Sequence, residues 1–246
     1  MTDPTQALSF GAAAAEYDRF RPRYPEAALR WALAGLDAPA RVLDLGAGTG
    51  ILTRGVLALG HAVTPVEPDP AMRARLDAAT PGVSALAGSA ESVPVPDGTV
   101  DAVLVGQAYH WFDRDRAHAE IARVLGRGGT FAPIWNTRDE TVDWVAELGR
   151  IAHLGDNSGD LTEQVTGFGP AFDPVEAAEF AHRTTLTPDE VRGLVRTRSY
   201  WLTAEPARRE RVDRELRDLF ATHPDLLGRE TVELPYRTLV FRARRR

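Results

Sequence analysis

One aspartate and three alternating glycines form the stretch of this sequence that is best suited to hold a ligand. The run from Arg41 to Gly50 reads RVLDLGAGTG, so that Asp44 precedes Gly46, Gly48 and Gly50. Glycine lets the backbone turn tightly and approach a ligand closely, and the N-terminus of a following helix attracts polar groups. Asp44 can accept a hydrogen bond from a cationic ammonium group. The alternative interpretation is a structural turn in an ordinary α/β protein.

A second acid follows at the distance where such folds bind a sugar. Glu67 lies about 20 residues past the glycine turn, where nucleotide-binding sheets place an acidic residue. It ends the apolar run from Ala62 to Val66. A carboxylate can accept two hydrogen bonds, and the vicinal hydroxyls of a ribose supply two. A nucleotide-like ligand is therefore predicted across this edge.

The spacing of the glycines decides between two kinds of cofactor. A dinucleotide fingerprint requires Gly-x-Gly-x-x-Gly, with the third glycine beside the pyrophosphate. Ile51 occupies that position here, and Gly50 comes one residue early. A carboxylate at Asp44 would also repel a pyrophosphate, whereas it attracts an ammonium group. The pattern favours a ligand with a cationic end over NAD.

The surrounding segments predict an α/β fold with a doubly wound, mostly parallel sheet. Apolar runs predict seven strands, near residues 41–45, 62–69, 83–87, 101–105, 130–135, 180–186 and 231–243. Helical patterns occur near residues 7–20, 26–36, 51–57, 71–79, 113–125, 142–154 and 205–221, and a capping-box spacing at Thr187 predicts another helix start. The polar segment from Gly155 to Pro174 has a length typical of lids or disordered loops.

We expect a single domain over residues 1–246. Residues 1–38 are predicted to form an N-terminal helical cap, and residues 39–136 the cofactor-binding core. Residues 137–246 are predicted to supply cap helices and the last strands.

The composition limits the classes of protein that this sequence can encode. The chain has 246 residues, a net charge of −6 and no cysteine, and all 29 basic residues are arginine. Disulfides and thiolate metal sites are thereby excluded, and a mildly acidic chain is a poor partner for nucleic acid or an anionic membrane. No apolar run reaches the length of a membrane span, and the start at Met1 lacks a secretory signal pattern. We therefore expect a cytoplasmic monomer or homodimer that acts on a small molecule without a metal.

From about Ser9 to Trp135, the sequence resembles the class I S-adenosylmethionine-dependent methyltransferases. The resemblance depends on VLDLGAGTG at residues 42–50, on EPD at 67–69, and on GSAE at 88–91 before a proline-rich turn and Asp101. Further short motifs are similar to the small-molecule branch that includes trans-aconitate methyltransferase-like proteins: YD at 17–18, RPRYP at 21–25, and Gln107 followed by HWF at 110–112. The resemblance implies a Rossmann-like, seven-stranded sheet, S-adenosyl-L-methionine as cofactor and S-adenosyl-L-homocysteine as product.

The resemblance also implies which residues bind the cofactor. Asp44 would lie near the ammonium group, Glu67 would bind the ribose hydroxyls, and Pro68 would pack on the adenine. The full set is Tyr17, Arg21, Asp44, Gly46, Ala47, Gly48, Glu67, Pro68, Ser89, Ala90, Glu91 and Gln107. Ser89 departs from the family, which usually has aspartate there, so the contact to the adenine amino group would be weaker or come from Glu91.

His110 is the candidate catalytic base, because strand ends on the carboxyl edge face the ligand and imidazole titrates near neutral pH. An equal alternative is that His110 is a packing or hydrogen-bonding residue of the pocket wall. Aromatic residues near the expected mouth predict an apolar or planar acceptor, and the candidates are Tyr24, Tyr109, Trp111, Trp135 and Tyr200. Core packing is the alternative for these rings, and Arg21 and Arg23 favour a carboxylate instead.

Two other functions are compatible with these residues. One is a protein that binds S-adenosylmethionine without turnover, as a sensor or partner subunit. The other is an NAD-linked oxidoreductase, which Ile51 disfavours. For a methyltransferase, the sequence leaves transfer to oxygen, nitrogen or carbon open.

Overall fold

The computed structural model describes residues 18–152 and 165–246, and a six-stranded sheet runs through them. The strands are β1 (Arg41–Leu45), β2 (Ala62–Val66), β3 (Val100–Gly106), β4 (Leu125–Arg138), β5 (Glu176–Leu186) and β6 (Val232–Arg244). Their order across the sheet is β2-β1-β3-β4-β6-β5. The pairs β2/β1, β1/β3 and β3/β4 are parallel, and β6 is antiparallel to both β4 and β5. The predicted α/β fold with a mostly parallel sheet is confirmed.

Helices cover both faces of this sheet. They are α1 (Glu26–Ala32), α2 (Ile51–Ala58), α3 (Pro70–Ala79), α4 (Arg114–Val124), α5 (Asp143–Ala152), α6 (Pro188–Arg196), α7 (Ser199–Leu202) and α8 (Pro206–Thr222). Leu43 and Val103 point into a core cluster with α4, whereas Val42 and Leu104 point into a cluster with α1 and α2. Because both faces of the central strands are buried, residues 102–105 of β3 form a continuous apolar run. A third cluster joins α5, α6 and α8 to the start of β6.

The predicted strand at residues 83–87 is not part of the sheet, so the expected seven strands are six. Leu86 forms a single parallel bridge to Val66. In that bridge, Leu86 N donates to the Pro65 carbonyl at 2.9 Å and Glu67 N donates to the Leu86 carbonyl at 3.0 Å. The next bond of the ladder would need a hydrogen on the backbone nitrogen of Pro65, and proline has none. Pairing with β2 therefore does not extend back from Leu86 into residues 83–85.

Side chains cap the starts of α3 and α6. Asp69 caps α3, because its Oδ1 accepts hydrogen bonds from Ala71 N and Met72 N at 2.7 and 3.1 Å. The predicted capping box is confirmed: Thr187 Oγ1 accepts from Glu190 N at 3.2 Å, and the Glu190 carboxylate accepts from Thr187 N at 2.9 Å. Caps of this kind stabilise a helix by about 1 kcal/mol. The cap of α3 also fixes the loop that follows β2.

The predicted polar segment is only partly described. Residues 155–164 of it, and residues 7–17 of the predicted first helix, lie outside the described residues; residues 18–20 are helical. Val165, Phe168 and Phe172 are buried in the core cluster, and the rings of Phe168 and Phe131 lie 4.5 Å apart between centroids. This end of the segment therefore belongs to the core.

Across residues 18–152 and 165–246, no helix combines the length and the apolar character needed to cross a membrane. The same residues contain no group of three acidic or histidine side chains arranged to hold a metal ion.

Candidate active site

A cleft lies at the carboxyl edge of the parallel strands, which is where open α/β sheets bind ligands. Its cavity volume is about 40 Å³, and the cleft opens to solvent. The residues that line it are Arg21, Pro22, Tyr24, Asp44, Gly46, Ala47, Gly48, Thr49, Ile51, Leu52, Gly106, Gln107 and Asn136. Predicted site residues from distant parts of the sequence meet here: Arg21, Tyr24, Asp44, Gly46, Ala47, Gly48 and Gln107.

The floor of the cleft is the glycine turn after β1. Gly46 N and Ala47 N both donate to the Val66 carbonyl, at 2.8 and 3.1 Å, which ties the turn to β2. Gly46 and Gly48 have φ of 73° and 56°, a left-handed backbone that other residues rarely adopt. A Cβ at Gly46 would lie 2.8 Å from Ala108 Cβ, whereas none of the described atoms lies within 4 Å of a Cβ at Gly48. Gly46 is therefore packed against protein, and Gly48 faces open space.

Asp44 lies at the bottom of the cleft and is only 1% exposed. Its Oδ2 accepts a hydrogen bond from Thr53 Oγ1 at 2.5 Å, and its Oδ1 has no hydrogen-bond partner among the described residues. Burial raises the pKa of Asp44 to about 7, against the hydrogen bonds from Thr53, which lower it. A buried polar atom without a partner costs roughly 1–3 kcal/mol. A cationic donor in the cleft would remove that cost.

Glu67, at the end of β2, is held next to the glycine turn. Its Oε2 accepts from Gly48 N and its Oε1 from Asp69 N, both at 2.9 Å. Arg73 Nη1 donates to the carbonyls of Glu67 and Pro68, at 2.8 and 2.7 Å, and so fixes the backbone of this loop. Burial raises the pKa of Glu67, and the backbone hydrogen bonds counter it. The acid is thus oriented before any ligand binds.

The residues that the resemblance places around adenine are not among those that line the cleft. Pro68 is exposed, Ser89 is half-buried and Ala90 is 3% exposed. Glu91 Oε1 accepts a hydrogen bond from Asp113 N at 3.0 Å, at the start of α4. Their contact with adenine remains a prediction.

The outer wall of the cleft is the N-terminal strap, defined as residues 18–24. Asp18 anchors one end, because its buried carboxylate accepts hydrogen bonds from Thr49 Oγ1 at 3.1 Å, from Arg75 Nη2 at 3.3 Å, and from Arg54. Thr49 belongs to the glycine turn, and the two arginines come from α2 and α3. The strap is therefore attached to the cofactor side of the fold.

The strap is also attached to α6. Arg21 Nε and Nη2 donate to Thr197 Oγ1 and to the Thr197 carbonyl, at 3.3 and 3.1 Å. Phe20 packs over Gly193, where an added Cβ would lie 2.7 Å from the ring. These contacts hold Arg21 in the cleft wall.

Gln107 stands in a strained position at the end of β3. Its φ is 58°, and among the described residues it is the only one other than glycine with a positive φ. Gln107 N donates to the Ile134 carbonyl at 2.9 Å, and Nε2 donates to the Asn136 carbonyl at 2.8 Å. Such backbone strain costs roughly 1–3 kcal/mol and persists where the surroundings fix it. Here it directs the Gln107 side chain along the cleft wall.

Known proteins are similar to this chain in sequence and in fold. Residues 43–132 match the methyltransferase-domain family. Over 237 residues, the chain is 44% identical to an uncharacterized methyltransferase of Mycobacterium tuberculosis, with 96% of each chain covered. The chain belongs to the class I S-adenosylmethionine-dependent methyltransferases. The predicted family is confirmed, and the NAD-linked alternative is set aside.

Two further proteins are similar to this methyltransferase. A solved structure from Anaeromyxobacter dehalogenans, provisionally assigned as a type II methyltransferase, aligns with a TM-score of 0.65 and 26% identity, covering 92% of this chain and 98% of that chain. A malonyl-[acyl-carrier protein] O-methyltransferase of Methylococcus capsulatus is 37% identical over 135 residues, which is 51% of this chain and 49% of the relative. The trans-aconitate-like subtype stays a prediction.

Two aromatic residues predicted to contact the acceptor lie in the core of the methyltransferase. Tyr109 and Trp135 are 1% and 2% exposed, and their rings pack edge to face at 5.8 Å between centroids. Tyr109 also donates to or accepts from His118 Nε2 at 2.9 Å. Neither ring lines the cleft. The structure corrects this expectation in favour of the alternative, core packing.

His110 and Trp111 lie in a short 3₁₀ turn after β3, partly exposed, with ring centroids 4.7 Å apart. Both lie outside the set of residues that line the cleft, so the role of His110 as a base stays a prediction. Tyr17 lies outside the described residues, and Tyr200 lies in α7 with a side chain outside the described part.

The cleft also contains residues that the sequence did not suggest: Pro22, Thr49, Ile51, Leu52, Gly106 and Asn136. Thr49, Ile51 and Leu52 belong to the glycine turn and the helix after it, so their signal was the motif itself. Asn136 follows Trp135 directly in β4, and strand alternation places the two on opposite faces.

Proposed function

We propose that the cleft binds S-adenosyl-L-methionine and that the methyltransferase transfers its methyl group to a small-molecule acceptor. The observation that carries the proposal is the pair of opposite charges in the cleft. Asp44 has a buried oxygen without a partner among the described residues, and Arg21 lines the same cleft. An amino-acid group, with one ammonium and one carboxylate, matches this pair.

The described residues fit the rest of the cofactor as well. Asp44 would hold the ammonium group, and the open space over Gly48 would take the chain that leads to the sugar. Glu67 would bind the ribose hydroxyls, since each carboxylate oxygen keeps a free lone pair beyond its backbone hydrogen bond. Pro68, Ser89, Ala90 and Glu91 would surround the adenine.

S-adenosylmethionine supplies an activated methyl group, so the chain needs mainly to align the acceptor and exclude water. The strap serves the second need, because Arg21, Pro22 and Tyr24 close the outer side of the cleft. An acceptor with an acidic proton also needs a base. His110, in the turn after β3, is the residue that we propose for that role.

The acceptor that we favour is a small carboxylate or a planar metabolite. The malonyl-[acyl-carrier protein] O-methyltransferase among the relatives is named for a malonyl group on an acyl-carrier protein, and it aligns with about half of this chain. Arg23 supplies positive charge for an acceptor carboxylate beside the cleft: its side chain is 58% exposed, and its guanidinium lies 3.7 Å from the Asp18 carboxylate. Partly exposed Trp111 offers a flat surface to a planar acceptor.

The test has two arms. Calorimetric titration with S-adenosylhomocysteine, beside NADH, measures the cofactor preference; tight binding of NADH alone would contradict the proposal. A screen of carboxylates, phenols and amines then follows the formation of S-adenosylhomocysteine. Turnover of a carboxylate or planar compound supports the acceptor class. Cofactor binding without turnover of any small molecule would support the cofactor assignment and refute the proposed class of acceptor.

A further inference from the structure

Asn136 lies where three segments around the cleft meet, and it is 4% exposed. Its Nδ2 donates to the carbonyls of Pro22 and Arg23, at 3.4 and 3.2 Å. Its Oδ1 accepts from Thr238 Oγ1, in β6, at 2.6 Å. Its backbone carbonyl accepts from Gln107 Nε2 at 2.8 Å. One residue of β4 thus contacts the strap, β6 and the turn after β3.

The partners of the amide decide which way it points. The two strap carbonyls can only accept, so the amide nitrogen must face the strap and the amide oxygen must face Thr238. The Thr238 hydroxyl therefore gives its hydrogen to Asn136 and accepts from His182 Nδ1, which lies 3.2 Å away. His182 must then carry a hydrogen on Nδ1. Donation runs in one direction, from β5 through β6 and β4 to the strap.

Two members of this series lie away from the cleft. Thr238 is 0% exposed, and neither Thr238 nor His182 is among the residues that line the cleft. A ligand in the cleft therefore meets Asn136 and does not meet Thr238. Any effect of the Thr238 hydroxyl on the cleft has to pass through the Asn136 amide.

We propose that Asn136 is a positioning residue of the methyltransferase, and that Thr238 sets its orientation. The side chain of Asn136 holds the strap through the carbonyls of Pro22 and Arg23. Its backbone carbonyl holds the side chain of Gln107, which also lines the cleft. The two walls of the cleft are thereby kept at one separation. The effect on cofactor affinity rests on the proposed function, whereas the attachment of the strap does not.

Limited trypsin digestion measures the attachment directly. The first arginine of the chain is Arg19, and the next site that trypsin can cut is Arg23, because Arg21 precedes proline. Cleavage after these two residues reports release of the strap, and cleavage after Arg41, in β1, reports opening of the sheet. Mass spectrometry of a time course gives the ratio of the two rates for each variant.

Thr238→Val removes the hydroxyl and keeps the shape, so the amide loses the donor that orients it. Strap cleavage relative to cleavage after Arg41 should rise about fivefold, the factor that corresponds to one neutral hydrogen bond of about 1 kcal/mol. Asn136→Asp points a carboxylate oxygen at the two strap carbonyls, and it should raise the ratio at least as much. The Kd for S-adenosylhomocysteine should also rise in both variants, and at least as much in Asn136→Asp as in Thr238→Val.

The chain offers two matched controls. Thr238→Ser keeps the hydroxyl and should restore the wild-type ratio and affinity. Thr130→Val makes the same change at a Thr in β4 that is also 0% exposed and whose hydroxyl has no partner among the described atoms, so the ratio should not change.

A Thr238→Val ratio equal to that of Thr130→Val would overturn the proposal. Equal acceleration of cleavage in the strap and after Arg41 would also overturn it, because the hydroxyl would then stabilise the whole sheet. If wild-type protein does not bind S-adenosylhomocysteine, the proposed function fails, and the cleavage ratios still decide the role of Asn136.

Discussion

Glu67 Oε2 accepts a hydrogen bond from the backbone N–H of Gly48 at 2.9 Å. The acid at the end of β2 and the glycine turn after β1 are thus joined before a ligand arrives. Each carboxylate oxygen has two lone pairs, so a ribose hydroxyl can bind without breaking this contact. Both halves of a nucleoside with an amino-acid group would meet a site whose parts are already oriented.

Glu67→Gln should weaken binding of both S-adenosylhomocysteine and adenosine by about tenfold or more, which is about 1.4 kcal/mol. The amide has one acceptor oxygen, and its NH₂ group must oppose either Gly48 N–H or Asp69 N–H. Calorimetric titration with the two ligands measures the loss. Glu179→Gln, at an exposed ion pair in β5, is the matched control. An unchanged Kd in Glu67→Gln would show that this residue does not bind the ribose.

Asp44→Asn should weaken S-adenosylhomocysteine binding by about tenfold or more and leave adenosine binding nearly unchanged. Adenosine has no ammonium group, so it does not use the carboxylate. The side-chain oxygen of asparagine can still accept from Thr53, which preserves the local packing. The same pair of titrations tests this selectivity. A parallel loss for adenosine would mean that Asp44 supports the turn instead of binding an ammonium group.

The glycine site and most of the fold follow from local signals in the sequence. The apolar run before Gly46 and the acid at Glu67 are each contained in a few neighbouring residues. The predicted strand at residues 83–87 does not form, because the donor that it needs would be the backbone nitrogen of Pro65 in β2, which carries no hydrogen. Pairing between strands is a property of two segments, and neither segment shows it alone.

The position predicted for Trp135 differs from its position in the structure for a related reason. The sequence predicts a strand that ends at Trp135 on the ligand side, but β4 continues to Arg138, and its residues alternate between faces. The residue that reaches the cleft is therefore its neighbour, Asn136. Local sequence patterns also do not predict the strap contacts, because Asp18 and Arg54 are 36 residues apart in sequence.

Stability and ligand binding should depend on pH in opposite directions through Asp44. Its folded pKa is about 7, and an unfolded aspartate has a pKa of about 3.9. Between these values the folded state binds a proton that the unfolded state lacks, so the free energy of unfolding falls as pH rises, by at most about 1.4 kcal/mol per pH unit, and levels off above about pH 7. Affinity for an ammonium group should instead rise over the upper part of this range, because the ionised carboxylate binds it.

Urea denaturation of wild type and Asp44→Asn at pH 5 and pH 8 checks the sign. The variant lacks the titration, so its stability relative to wild type should improve as pH rises. A constant difference would show that Asp44 titrates equally in both states. That result would mean that burial of the Asp44 carboxylate does not lower the free energy of unfolding of the ligand-free protein.

His110→Asn should leave the Kd for S-adenosylhomocysteine within about twofold and lower kcat by about 10²-fold, the low end of the usual contribution of a general base. His110 lies outside the residues that line the cleft, so the cofactor should not depend on it. The measurement uses an acceptor with an acidic proton found in the screen. If the Kd rises together with the loss of kcat, His110 belongs to the cofactor pocket.

Gly46→Ala and Gly48→Ala should separate folding from binding within one turn. Both variants place a side chain at positive φ, which costs about 1–2 kcal/mol. Only position 46 adds a clash, since its Cβ would lie 2.8 Å from Ala108 Cβ. Gly46→Ala should therefore lower the free energy of unfolding more than Gly48→Ala does, while Gly48→Ala loses affinity because its methyl group enters the space of the ligand. Urea denaturation and titration with S-adenosylhomocysteine measure the two effects. Wild-type affinity in a folded Gly48→Ala protein would show that the ligand does not pass over this glycine.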